Sequence, residues 1–301
     1  MSTPEPGDVV EQVVRFGPEG RLHGVLSSPA ASSGGGAGAT ERTGVLLLNA
    51  GLVPRVGPNR MYVRLARSLA RAGRPVLRFD FSGVGDSDAR RDTVRFEQGA
   101  VEETRRAMDL LADREGCTRF ATLGLCSGAE IAFKAACADE RVVGAAMINA
   151  PRYLEEPAPE LVARLERVQA ARYYWGVALF KPKNWLRVLG GRAQFGAMLS
   201  AFLHKLGGMS GRSGGNERTD DPDVAAFDAL LARDVHLALI FSEGDWGWDY
   251  LAAILGKRFD HWQKDGPPLV VEVPRGDHLL TPLNARRTAM EAVEDWTATL
   301  P

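Results

Sequence analysis

From residue 44 onward, short apolar runs alternate with stretches whose apolar residues recur at helical spacing, and this rhythm constrains the fold more than any other feature. "GVLLLNAG" is apolar without interruption, the pattern of a strand buried on both faces of a parallel sheet. "RMYVRLARSLARAG" follows with helical periodicity and a closing glycine. "RPVLRFDFSG" is the next strand and "RFEQGAVEETRRAMDLLADREG" the next helix; strand "RFATLGLC", helix "GAEIAFKAACADE" and strand "RVVGAAMINAP" continue the series. Such alternation predicts an α/β protein, a mostly parallel central sheet with helices on both faces.

The flanking segments fit around that core. "EQVVRFGPEGRLHGVLSSPA" alternates in character and turns at "GPEG", which predicts an opening β-hairpin. "ASSGGGAGATERT" reads as a flexible loop. Between about residues 152 and 222 the rhythm breaks into amphipathic stretches, "ELVARLERVQAARYYWGVALF" and "AQFGAMLSAFLHKL", closed by the loop "GGMSGRSGGNERTDDP". The expectation is a core over residues 1–151, a helical lid insertion over 152–222, and the rest of the core over 223–301. There the alternation resumes with strand "HLALIFSEGD", helix "DYLAAILGKRFDHWQKDG", strand "LVVEVPRGD" and helix "NARRTAMEAVEDWTATL".

Charge and composition exclude several classes. A net charge of −1 supplies no field to draw the chain to nucleic acid or anionic lipid. No run approaches the roughly 18 apolar residues of a membrane span. The N-terminal "MSTPEPGDVVEQ" lacks the apolar core of a secretory signal. Cys117, Cys126 and Cys137 are spaced for neither a zinc site nor a disulfide framework, so a reducing cytoplasm is the expected home. No metal or cofactor is expected: the chain has no Walker A loop, H-E-x-x-H or paired C-x-x-C. "SGVGDSD" carries Asp88 where a dinucleotide loop needs its third glycine.

In an open α/β sheet, ligands gather at the carboxyl ends of the strands. The strand ends here carry "NAGL", "DFSGVGDSD", Cys126, "SEGDWGWD" and "RGDH". Cys126 stands between Gly124 and Gly128 at a sharp strand-to-helix turn, which thrusts its side chain out of the sheet. A thiol of pKa roughly 8.5 needs a base or a helix N-terminus to become a thiolate at neutral pH, and this position offers both. Of the five histidines, only His278 follows a late strand in a loop able to bend back over that turn, as base and then acid. Asp245 ends "LALIFSEGD" and would orient His278; Asp249 competes for that role. For Cys117 and Cys137, in helix-edge contexts, burial as ordinary small apolar residues is the better reading.

Gly124-Leu125-Cys126-Ser127-Gly128 resembles the nucleophile elbow of the α/β-hydrolase fold, with cysteine in the usual serine place. Nucleophile, acid, then histidine is also that fold's chain order. "NAGLVPRVGPNRMYVRLARSLARAGRPVLRFDFSGVGDSD" and "GLCSGAE" resemble a bacterial subgroup found beside exosortase or biosynthetic genes. The resemblance spans nearly the whole chain outside the lid and the Gly-rich loop. It implies oxyanion donors at the backbone N–H of Ser127 and, by aligning Ala50-Gly51 with the usual His-Gly step, at Leu52; the histidine of that step is missing here.

Substrate contacts are expected from Arg55, which with Asn59 and Arg60 would clamp an anionic part such as a phosphopantetheine arm, unless these are simply solvated side chains. Tyr174 and Trp175 in the lid and Trp246 beside the acid would line an acyl pocket; packing of the lid on the core is the alternative for the lid aromatics. The expected activity is hydrolysis of an ester or thioester through a Cys126–His278–Asp245 triad, with a small-molecule substrate carried free, on CoA or on a carrier protein. Two alternatives stay open. One is acyl transfer to an amine, alcohol or thiol, as polyhydroxyalkanoate synthases show for a cysteine on this fold, and the other is a non-catalytic binding protein.

Overall fold

The computed structural model describes residues 9–30, 42–154, 157–173 and 221–301. Its strands are β1 Val9–Phe16, β2 Leu22–Pro29, β3 Arg42–Leu48, β4 Val76–Asp80, β5 Cys117–Leu125, β6 Val142–Ile148, β7 His236–Ser242 and β8 Leu269–Val273. They form one sheet in the order β1-β2-β4-β3-β5-β6-β7-β8. The opening hairpin pairs β1 with β2 antiparallel, and β2 joins β4 antiparallel. Every pairing from β4 through β8 is parallel. The sheet is therefore the mostly parallel one that the apolar runs predict.

Helices α1 Met61–Arg71, α2 Phe96–Glu115, α3 Ser127–Ala138, α4 Pro159–Tyr173, α5 Pro222–Ala232, α6 Trp246–Leu255, α7 Lys257–Asp265 and α8 Leu283–Ala298 flank it. Strand alternation sorts the core into two layers. Val45 and Leu47 face α1 and α8, alongside Leu65, Leu69, Val293 and Trp296. Leu46 and Leu48 face the opposite layer, which holds Met108 and Leu111 of α2, Phe133 of α3 and Phe227 of α5. All four β3 residues are fully buried. At about 1.5–3 kcal/mol per buried large aliphatic side chain, such central strands anchor the loops at their ends.

Three details depart from the expectation. Helix α5 has no counterpart in it, although Asp221 caps that helix through Asp223 N–H and Pro222 occupies its first turn. The single helix expected over "DYLAAILGKRFDHWQKDG" is two, because Gly256 at φ 55°, ψ −127° breaks the run between α6 and α7. Cys137, in the last turn of α3, is exposed rather than buried, whereas Cys117 at the start of β5 is buried as expected. Among the described residues, no helix is long and apolar enough to cross a membrane.

Candidate active site

The elbow is built by close approach. A Cβ on Gly124 would meet the Gly128 carbonyl at 2.0 Å, and one on Gly128 would meet the Asn49 carbonyl oxygen at 2.4 Å. Only glycine lets α3 start directly against the ends of β3 and β5. Between them Cys126 is held at φ 57°, ψ −126°, a strained conformation that costs a non-glycine residue about 1–3 kcal/mol. The surrounding bonds over-determine it. Cys126 N–H donates to Ile148 O at 2.9 Å, and its carbonyl accepts from Ala129 N–H at 2.9 Å. Beneath the turn, the fully buried Tyr62 hydroxyl accepts from Leu125 N–H at 3.0 Å and donates to Leu48 O at 2.9 Å.

The β7 and β8 loops bring acid and base to this apex. Asp245 caps α6, its Oδ1 accepting from Gly247 N–H at 2.9 Å. Its Oδ2 lies 2.8 Å from His278 Nδ1, which leaves Nε2 for the sulfur. Hydrogen bonding to Asp245, and next to Cys126, pushes the His278 imidazole up from 6.5 to about 10, against the opposing effect of burial. The same Cys126–His278 bond holds the Cys126 thiol below its ordinary value against burial, helped by the imidazole charge and by Ser127 N–H; the Asp245 charge works the other way. Both directions favour a thiolate–imidazolium pair near neutral pH. Burial pushes the Cys117 thiol the opposite way, to about 11.

Of the two expected oxyanion donors, Ser127 N–H points at Cys126 Sγ. Gly51 N–H is taken, donating to Ser127 Oγ at 2.8 Å. That bond pins the β3 loop to the elbow and turns the Ser127 hydroxyl away from a nucleophile's role. Leu52 follows at the exposed end of the same loop, and among the described residues its N–H has no hydrogen-bond partner.

The substrate-binding candidates fare differently. Arg55 reaches inward to the buried Asp80 and across to Asp86, while its own N–H donates to Asp80 Oδ1 at 2.6 Å. Its guanidinium thus braces the β3 and β4 loops. Trp246 donates from Nε1 to Pro151 O at 3.1 Å and lines a concavity of about 300 Å³ with Ser242, Glu243, Gly244, Asp245, Gly276, Asp277 and His278. Tyr174 and Trp175 lie outside the described residues. Asp249 is buried in the first turn of α6. Among the described residues, no cluster of three or more His, Cys, Asp or Glu is placed to hold a metal ion.

Sequence reasoning missed Tyr62, Asn149 and Ser242. Asn149 and Ser242 each stand at the carboxyl end of a parallel strand, a position that could have marked them. Tyr62 carries no such signal, since an aromatic on an amphipathic helix reads as core.

Comparisons with known proteins place this geometry on a familiar framework. A family model described as "Serine aminopeptidase, S33" matches residues 42–189. The chain resembles the dienelactone hydrolase of Anabaena variabilis at TM-score 0.54 and 16% identity, over 97% of this chain and 98% of that one. It resembles an esterase of Pyrococcus furiosus at TM-score 0.56 and 14% identity, over 97% and 92% of the two chains. A proline iminopeptidase-related protein of Thermus thermophilus gives TM-score 0.50 at 19% identity, over 97% and 98%. No curated protein matches by sequence. The chain has the α/β-hydrolase fold, as the elbow motif and strand order imply.

Proposed function

We propose that this chain is an acyl-transfer enzyme that hydrolyses an ester or thioester through Cys126, His278 and Asp245. The observation that carries this reading is the hydrogen-bonded series from the Cys126 thiol through His278 to Asp245, at the apex of a strained elbow. The Cys126 thiolate attacks the substrate carbonyl carbon, forming a C–S bond and an oxyanion. Ser127 N–H and Leu52 N–H are the donors proposed to hold that oxyanion. As the intermediate collapses, the bond to the leaving group breaks and the imidazolium gives it a proton. Water then attacks the thioester, neutral His278 takes its proton, and the C–S bond breaks. Cys126 departs as thiolate with the imidazolium restored. The matched family model is described by a serine, so the cysteine at position 126 is a departure from it, and that departure supports reading this chain as one of a cysteine-nucleophile subgroup.

That cysteine supports a second outcome, because a thioester is attacked readily by amines and thiols. Transfer to such an acceptor competes with water, and the acyl group would arrive on CoA, on a carrier protein or as a small ester. Of the lid expected over residues 152–222, α4 is described and residues 174–220 lie outside the described residues; a reducing cytoplasm would keep the thiol free. Intact-mass spectrometry after incubation with a panel of acyl esters and thioesters tests the reading. A single acyl adduct on the Cys126 peptide is expected. No adduct with any probe would leave a binding protein on the same fold.

A further inference from the structure

We propose that Asn149 and Ser242 are positioning residues that hold the His278 loop in register with the elbow, a proposal that rests on the Cys126–His278–Asp245 reading. Asn149, at the end of β6, is fully buried and held at φ 49°, a left-handed conformation that asparagine tolerates better than most residues. Both of its amide hydrogens and its carbonyl oxygen are engaged. Oδ1 accepts from Ser242 N–H at 2.7 Å, and Nδ2 donates to Ser242 Oγ and to His278 O, each at 2.9 Å. Ser242, buried at the end of β7, passes its own hydroxyl proton to Asp277 O at 2.7 Å. Two consecutive carbonyls of the loop that carries the base are therefore anchored by two buried side chains from neighbouring strands.

Each member of the triad is one hydrogen bond from this pair or the residue beside it. Cys126 N–H rests on Ile148 O, the carbonyl preceding Asn149, at 2.9 Å. Asp245 N–H rests on Ser242 O at 2.9 Å. His278 O rests on Asn149 Nδ2. β8 ends at Val273, so beyond it the histidine loop has left the sheet ladder and takes its position from such contacts. The fit is close: a Cβ on Gly276 would meet Ser242 Oγ at 2.8 Å. Because a displacement of about 1 Å in a catalytic group can cost on the order of 10²-fold, such an anchor acts on the chemistry without touching substrate.

The test is the pH dependence of iodoacetamide alkylation at Cys126, followed by peptide mass spectrometry in the full-length protein. Wild type should alkylate with an apparent pKa below the roughly 8.5 of an unperturbed thiol. In Ser242→Ala and in Asn149→Gly, the second of which accepts the left-handed backbone, the acid limb should move up by about one unit. Cys126 would then react about tenfold more slowly at pH 6 with its alkaline plateau unchanged. Buried Cys117 reports folding by staying protected. Unmoved acid limbs in both the Ser242 and Asn149 variants would overturn the proposal and leave the triad standing. Exposure of Cys117 would also overturn it, since the pair would then be holding the fold. A wild-type Cys126 titrating like an ordinary thiol would overturn both readings.

Discussion

His278 Nδ1 lies 2.8 Å from Asp245 Oδ2 across 33 residues of chain, and Asp245 spends its other carboxylate oxygen on the first turn of α6. One carboxylate thus caps a helix and orients an imidazole at once. Asp249, one turn further along α6, is engaged with other groups.

Asp245→Asn should therefore lower kcat far more than Asp249→Asn. An amide in place of the carboxylate leaves His278 in the wrong tautomer, worth roughly 10⁴ in serine enzymes. The loss should be smaller here, because a thiolate is formed more easily than an alkoxide. The cap survives, since asparagine also accepts from Gly247 N–H, so the melting temperature should change little. Equal losses of kcat in the two variants would remove Asp245 from its role.

Cys126→Ala should abolish acyl-adduct formation and lower kcat by as much as about 10⁶. It should leave the protein folded, since alanine meets the same positive φ as cysteine and the smaller side chain fits the same turn. Cys117→Ala and Cys137→Ala should keep near wild-type turnover, because Cys117 is buried at the start of β5 and Cys137 is exposed in the last turn of α3, both away from the elbow. Undiminished adduct in the Cys126 variant, by mass spectrometry, would remove the nucleophile.

The His278 shift has a defined sign in stability. An imidazole raised from 6.5 to about 10 favours the folded state when protonated. Its contribution is whole below about pH 6.5 and fades as pH rises through about 10. Thermal melts of wild type and His278→Gln should differ most at pH 6 and converge above pH 10. The side chain is 44% exposed, so solvent screening keeps the gap small. A gap that widens with pH would contradict the imidazolium assignment.

Gly128→Ala should destabilise the fold and the site together. Its Cβ would press on the Asn49 and Leu48 carbonyls at 2.4 and 2.7 Å, both backbone atoms that cannot swing aside. Overpacking of this kind costs typically 1–3 kcal/mol or more, read as a lowered denaturation midpoint. Gly73→Ala provides the contrast in contacts, since a Cβ there meets nothing within 4 Å; its loss should come from the positive φ alone. A Gly128→Ala midpoint equal to wild type would mean that the elbow is looser than drawn.

Cys126→Ser separates hydrolysis from transfer. The oxyester it forms is less prone to aminolysis than a thioester, and acylation should slow because serine needs stronger base assistance. In a hydrolase some turnover persists with a single hydrolytic product. In a transferase the acceptor product falls out of proportion and free acid accumulates. The ratio of the two products, with and without amines, thiols or alcohols, decides. A wild-type ratio of zero across the panel rules out transfer.

The sequence by itself determined the sheet, the elbow and the chain order of Cys126, Asp245 and His278. Periodicity records which face of each element is buried, and the runs at 45–48, 120–125 and 237–241 are buried on both faces as that pattern requires. The glycines flanking Cys126 were equally legible, because a turn that tight excludes a Cβ. A helix such as α5 carried its Asp-Pro start in plain view but too weak an apolar stripe to stand out. Only the tertiary structure brings Asp245 within 2.8 Å of His278, since Asp245 and Asp249 sit in the same short loop-to-helix segment and look alike in sequence. It alone turned Arg55 inward to Asp80 and Asp86, and joined Asn149 to Ser242 and His278 across 93 and 129 residues. Those bonds depend on which strand lies beside which, and a buried asparagine or serine at a strand end reads locally like any turn residue until the strand order brings its partner alongside.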